Sequence, residues 1–94
     1  MNGWTPNTEG RVLSGRRVLD TAEGILIGLR RYQPDAALSE LIDVSRRNAV
    51  PVFALASALI ELAGGAERPA DTAPPAWSSA QREWGRLLSE SRSG

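Results

Sequence analysis

The first part of the chain carries apolar residues at the spacing of one long amphipathic helix. Between residues 12 and 32 they recur three or four positions apart, which places them on one broad stripe of a helix. The members of this stripe are Val12, Leu19, Ala22, Leu26 and Leu29, with Val18, Ile25 and Tyr32 alongside. We therefore predict a first helix over residues 12–32, preceded by a flexible arm over residues 1–10.

Two shorter helices are predicted next. Pro34 suits the first turn of a helix, which gives a second helix over residues 34–47. Pro51 disfavours helical geometry at the residue before it and fits the start of a third helix, over residues 51–63, which a Gly-Gly pair ends. The residues expected to share one core are Leu19, Ala22, Leu26, Leu41, Leu55, Ala56 and Leu59.

The third predicted helix has more apolar surface than three helices would cover, because Phe53 and Ile60 fall outside the expected core. A Pro-rich linker over residues 66–76 leads to a predicted fourth helix over residues 77–90. Its apolar stripe contains Trp77, Ala80, Trp84, Leu87 and Leu88. Two exposed Trp side chains are costly, so we expect this stripe to dock on the surplus face, within one chain or between two.

These patterns predict an all-α protein with a compact three-helix domain over residues 11–65 and an additional C-terminal amphipathic helix. The 94 residues include no Cys and no His, which removes disulfides, thiolate or imidazole metal ligands and Ser-His or Cys-His pairs. Asp20 and Glu23 share a helix face, but a lone carboxylate pair is more typical of surface ion pairing than of catalysis. We expect a cytoplasmic protein with no cofactor and no enzymatic activity, and no segment that enters a membrane.

A further pattern combines small and apolar residues over about forty positions. Residues 22–27 read Ala-Glu-Gly-Ile-Leu-Ile, and Ala37, Ser45, Val52 and Ala56 follow. In order and spacing this part of the chain, from about residue 18 to residue 60, resembles the ANTAR domain, the small helical RNA-binding module of bacterial transcription antiterminators. The chain departs from that family at Glu23, where the family has Lys, and at residues 48–49, where Asn-Ala replaces Ser-Asn.

The resemblance implies that the protein binds RNA stem-loops. All eleven basic residues are Arg, and the planar guanidinium group both bridges phosphate oxygens and stacks on unpaired bases. The net charge is zero, but residues 11–47 hold seven Arg against five acids. The candidate RNA-binding residues are Arg16, Arg17, Arg30, Arg31, Arg46, Arg47 and Asn48.

The Arg pairs also have a structural interpretation. Arg16 with Asp20 and Arg47 with Asp43 have the spacing of surface ion pairs along a helix, and Arg near a helix C-terminus complements its dipole. If the first two helices pack antiparallel, the pair at 46–47 approaches the pair at 16–17 and concentrates positive charge. The positions of the Arg residues along the chain do not separate the two interpretations.

Gly24 and Gly28 lie one turn apart inside the first predicted helix. Each costs up to about 1 kcal/mol relative to Ala, so something is expected to approach that face closely. Tight packing against a neighbouring helix is one interpretation, and a groove for an RNA backbone or a partner is the other.

By resemblance, the function would be to bind stem-loops in nascent RNA and so prevent a terminator hairpin from forming. The alternative is a diverged ANTAR-like scaffold that acts as a protein-protein interaction module, for dimerisation or regulation, without RNA binding. Net zero charge, Glu23 and the Trp-bearing last helix favour that alternative. The expected partners are therefore RNA stem-loops, a second copy of the chain or a regulatory protein acting in trans. A DNA-reading helix-turn-helix is disfavoured because the third predicted helix has no basic or amide side chain.

Overall fold

The computed structural model describes the backbone of residues 6–69 and 71–93 and the side chains of residues 15–69 and 71–91. Within these residues the chain forms four α-helices and no strand, so the predicted all-α class is confirmed. The helices are α1 (Pro6–Arg30), α2 (Pro34–Asn48), α3 (Val52–Ala63) and α4 (Pro75–Ser93). No helix in this part of the chain is both long and apolar enough to cross a membrane.

The largest difference from the predicted boundaries is at the start of α1. Residues 6–10, expected to belong to a flexible arm, are helical, while residues 1–5 lie outside the described part. Pro6 fits the first turn of a helix because its missing N–H is not needed there. At the other end, Arg31 adopts a left-handed conformation with φ 59°, which ends α1 before the predicted residue 32.

The bounds of α2 and α3 agree with the prediction to within one residue, and α4 is longer than predicted at both ends. The core draws on all four helices. Its buried residues are Ala22, Leu26, Ala37, Leu41, Val44, Val50, Leu55, Ala56, Ala58, Leu59, Leu62, Ala76, Trp77, Ala80, Trp84 and Leu88. Of the seven expected core residues only Leu19 is half-buried, and it packs against the edge of this core. All four helices contact one another, and α3 has the central position because it packs most extensively against the others, above all against α1 and α4.

The fourth helix is an integral part of the bundle. Trp84 is fully buried, Trp77 and Leu88 lie in the same core, and Leu87 is half-buried. The expected Pro-rich linker over residues 66–76 connects two packed helices, and the first residues of α4 come from that segment. Burying two large aromatic side chains on one helix supplies much of the driving force for this docking.

Phe53 does not lie where it was expected. Ile60 packs against the core, but the Phe53 side chain remains 50% exposed. Its ring instead lies beside Gly15 of α1, where an added Cβ would be 3.2 Å from Cε1. The surplus apolar face of α3 is thus divided, with Ile60 packed on the bundle and Phe53 left at its edge.

The connections after α2 and α3 share the same backbone conformation at the helix C-terminus. Each helix is followed by a residue with positive φ, Ala49 at 54° and Gly65 at 92°. In each case the next N–H donates back to a carbonyl of the last turn: Val50 to Ser45 at 3.1 Å and Ala66 to Glu61 at 3.0 Å. This pairing satisfies carbonyl groups that a helix end leaves without partners. Gly adopts this conformation at little cost, whereas Ala49 carries strain.

Candidate functional site

The first two helices run antiparallel, which places two of the three Arg pairs at one end of the molecule. Gly15 of α1 lies beside Phe53, in the first turn of α3. At its other end, Arg30 of α1 pairs with Glu40, in the first half of α2. The stretch of α1 that carries residues 16 and 17 therefore lies at the end of the bundle where α2 turns into α3. We call this end the α2–α3 turn end.

The guanidinium groups at this end are largely available. Arg16, Arg17 and Arg46 are exposed and make no side-chain hydrogen bond or ion pair with any residue that the structure describes. The two expected ion pairs along a helix, Arg16 with Asp20 and Arg47 with Asp43, do not form within the described part. The other part of the structural interpretation is confirmed, since Arg46 and Arg47 lie in the last turn of α2, where they complement its dipole. Exposed guanidinium groups without carboxylate partners keep their full capacity for an anionic ligand.

Arg47 and Asn48 have a different environment, because both contact α4. Arg47 Nη1 lies 3.5 Å from an oxygen of Glu83, with the Arg47 side chain still 62% exposed. Asn48 accepts a hydrogen bond from Arg82 Nη2 at 2.6 Å and donates from Nδ2 to the Val44 carbonyl at 2.9 Å. Arg82 thus brings another guanidinium group to the end of α2. Arg82 is not among the predicted RNA-binding residues, because nothing in the sequence near residue 82 indicates which helix end its side chain will meet.

The remaining pair, Arg30 and Arg31, lies at the opposite end of the bundle. Residues 16 and 30 are separated by about 20 Å along α1, from a rise of about 1.5 Å per residue. Arg30 Nε is held by Glu40 at 2.8 Å, while Arg31 is exposed and ends the helix. The predicted RNA-binding residues therefore do not form one continuous patch, and Arg30 in particular has a structural partner.

Glu40 is the main polar connection inside the bundle, and sequence analysis did not identify it. Its carboxylate accepts hydrogen bonds from the Tyr32 hydroxyl at 2.8 Å and from Trp84 Nε1 at 2.6 Å, in addition to the Arg30 contact. Burial, followed by the hydrogen bond to Glu40 and its negative charge, raises the pKa of Tyr32 well above its usual value. This cluster joins α1, α2 and α4 and has the character of a structural network rather than of a binding site.

The glycine face of α1 is open. A Cβ built on Gly24 or Gly28 would meet nothing within 4 Å, and both residues are exposed. Close packing of this face against a helix of the same chain is therefore wrong for the described residues. Glu23, beside it, is half-buried and has no ion-pair partner within the described part. The second interpretation, a surface for a ligand or partner, stays a prediction.

A cavity of about 540 Å³ lies between α4 and the residues that follow α3. On one side Arg68 is held by Glu61 at 3.0 Å and lies 5.4 Å from the centre of the Trp77 ring. Of the described Arg side chains of α1 and α2, none lines this cavity, although Arg82 of α4 does. The cavity is therefore separate from the guanidinium groups that α1 and α2 carry at the α2–α3 turn end.

Comparison with models of known families, with curated proteins and with solved structures gave no match. The likeness to the ANTAR domain therefore remains a prediction from the residues of this chain. The feature of this chain that bears most directly on function is the group of unpaired arginines at the α2–α3 turn end.

Proposed function

We propose that the protein is an RNA-binding regulator that recognises stem-loops through its α2–α3 turn end. The observation that supports this most is the group of exposed, unpaired guanidinium groups of Arg16, Arg17 and Arg46. Arg47 and Arg82 extend the group toward α4. Phosphate groups of RNA are the ligands that such a surface fits best, since each guanidinium group can bridge two phosphate oxygens.

Local charge matters more for this proposal than net charge. The whole chain is neutral, with eleven Arg and eleven acidic residues. Among the side chains that the structure describes, the five Arg of this end have three acidic neighbours: Asp20 and Asp43 one turn along their helices, and Glu83 in contact with Arg47. The excess of positive charge is modest, so we expect moderate affinity that depends strongly on salt.

The regulatory role rests on the resemblance. Antitermination requires a protein that stabilises one RNA fold at the expense of the terminator hairpin. A protein that binds the stem-loop stabilises the RNA conformation that contains it. The competing terminator hairpin gains no such stabilisation, so the RNA shifts toward the bound conformation. In a transcription assay on a template with stem-loops ahead of a terminator, the protein should increase read-through.

Filter binding to a hairpin RNA at low salt tests the proposed surface. The double variant Arg16→Ala with Arg46→Ala should weaken binding, because both side chains are exposed and neither stabilises the fold through a partner in the described part. Arg86→Ala is the matched control, since it also removes positive charge, its side chain is 93% exposed and its ion-pair partner is Glu90 on the same helix. Equal effects of the variant and the control per charge removed would argue against a defined surface.

DNA reading by α3 has little support from the geometry. In a helix-turn-helix protein the second helix projects into the major groove. Here α3 is the central helix, with Leu55, Ala56 and Leu59 fully buried, and it carries no basic or amide side chain. A helix packed on several sides cannot enter a groove.

The second candidate function is a protein-protein interaction module. The open face at Gly24 and Gly28 favours it, together with the unpaired Glu23. The Trp residues of α4 do not support an interaction module, because Trp77 and Trp84 are buried within the chain and unavailable to a partner. Gly24→Ala with Gly28→Ala tests it: the monomer should gain up to about 1 kcal/mol per site. Self-association measured by sedimentation should weaken only if this face binds a second copy.

A further inference from the structure

Phe53 is the most exposed large apolar side chain of the described residues. It lies in the first turn of α3 and is 50% exposed, whereas Leu55, Ala56 and Leu59 on the inner face of that helix are buried in the core. An aromatic ring held in this way contributes less to stability than a fully buried one, because only part of its apolar surface is removed from water.

The ring is seated by one edge on α1. A Cβ added to Gly15 would lie 3.2 Å from Cε1, 3.8 Å from Cδ1 and 3.9 Å from Cζ, three consecutive atoms of the ring. The lack of a side chain on Gly15 thus lets the ring approach the helix closely. Supported along that edge, the ring presents aromatic surface to the outside while its position is restricted by α1 and α3.

The Arg residues at the same end of the bundle as Phe53 indicate the class of ligand. Arg16 directly follows Gly15, so its Cα is about 3.8 Å from that of the residue that seats the ring. Arg46 lies in the last turn of α2, on the other side of the short connection to α3. An uncharged apolar protein segment would use the ring but would leave these guanidinium groups without an anionic partner. A nucleic acid with an unpaired base would use both the ring and the charges, through stacking and phosphate contacts.

We propose that Phe53 stacks on an unpaired base of the RNA loop, with Arg16 and Arg46 on the flanking phosphates. This inference rests on the proposed RNA-binding function and adds which part of the RNA is recognised: the single-stranded loop rather than the paired stem. Paired bases are stacked within the helix and leave no face for the ring, so Phe53 contributes only where a base can turn outward.

Two RNAs separate base stacking from phosphate contacts: a hairpin with an unpaired loop, and a fully paired duplex with the same stem sequence. Phe53→Leu keeps an apolar side chain but removes the aromatic face, and should weaken hairpin binding about five- to hundred-fold while leaving duplex binding unchanged. Phe53→Trp should retain hairpin affinity. Leu38→Ala, at the other exposed large apolar residue, is the control and should change neither. Circular dichroism and thermal melting of each variant check that the fold is kept.

The outcomes distinguish this inference from the function on which it rests. Wild-type protein that binds neither RNA would overturn both. Equal hairpin affinity of the wild-type protein and the Phe53→Leu variant would overturn the stacking inference and leave RNA binding intact. An equal loss on hairpin and duplex would also overturn it, because the effect would then not depend on an unpaired base.

Discussion

Trp84 and Glu40 join the last helix of the chain to the second. The indole Nε1 of Trp84 donates a hydrogen bond to the Glu40 carboxylate at 2.6 Å, and the two residues are 44 positions apart. Trp84 is fully buried, while the Glu40 side chain is 19% exposed. The same carboxylate binds Arg30 and Tyr32, so one acidic side chain holds three parts of the fold in register.

Removing the Glu40 carboxylate should lower the stability of the folded protein. Glu40→Ala leaves the Trp84 N–H buried without an acceptor and is expected to lower the free energy of unfolding by about 1–3 kcal/mol. Urea denaturation followed by Trp fluorescence measures the change. Glu90→Ala is the control, since Glu90 is 63% exposed and takes part in one ion pair within α4, and it should cost less than about 0.5 kcal/mol. Similar costs for the two variants would show that the Glu40 contacts contribute little.

Tyr32 provides a pH-dependent test of the same cluster. Its pKa is raised, first by burial and then by Glu40, so the folded protein holds the phenol proton more tightly than the unfolded chain does. This contribution to stability is complete below the unfolded pKa of about 10 and is lost as the pH rises beyond it. With no Lys, Cys or His and a single Tyr, few other groups titrate there.

We therefore expect the phenolate absorbance of the folded protein to appear well above a pH of about 10, together with a fall in thermal stability. Tyr32→Phe should remove the absorbance change and flatten the alkaline loss of stability. Phenolate formation in the folded protein at the pH of an ordinary tyrosine would mean that Tyr32 is solvated and not bound to Glu40.

The sequence was a good guide to the fold wherever local periodicity decides the outcome. Helical spacing alone predicts Leu26, Leu41 and Leu59 in the core, and each is fully buried. The start of α1 was missed because Gly and Asn in residues 6–10 are weak helix formers, and helix extension there was not expected from propensity.

The polar connections were not predictable in the same way. Helical spacing indicates which face of a helix is buried, but it does not indicate where two helices cross. Glu40 and Arg82 are ordinary surface residues by local pattern, and only the crossing of α2 and α4 gives them Trp84 and Asn48 as partners. For the glycine face, local spacing indicates a contact that does not form. Gly24 and Gly28 have the spacing of a packed helix contact, but both face open space.

Ala56 tests the register of the core. It is fully buried on α3, so Ala56→Leu should overpack the junction with its neighbours and cost about 1–3 kcal/mol. Ala54→Leu adds the same atoms at an exposed position of the same helix and should be nearly neutral. Thermal melting of the two variants gives the comparison. A neutral Ala56→Leu would place residue 56 at the surface and contradict the proposed packing.

Ala49 tests the connection between α2 and α3. Its φ of 54° is strained for an L-residue with a Cβ, whereas the matching position after α3 is Gly65. Ala49→Gly should therefore raise the free energy of unfolding by about 1 kcal/mol, despite the greater freedom of Gly in the unfolded chain. Ala66→Gly, just after that glycine, is the control and should give no gain. A loss of stability in Ala49→Gly would mean that residue 49 is not left-handed in the folded protein.

The most direct test of the RNA-binding proposal is a filter-binding titration of the wild-type protein against a hairpin RNA over a series of salt concentrations. Phosphate contacts release counterions, so about three to five contacts predict a slope of log K against log salt of about −2 to −4. Glu23→Lys should strengthen binding and steepen the slope, because it replaces a negative charge on α1 with a positive one. Wild-type protein without hairpin affinity at low salt, together with an equally inert Glu23→Lys variant, would contradict RNA binding and leave the protein-protein interaction module as the better account.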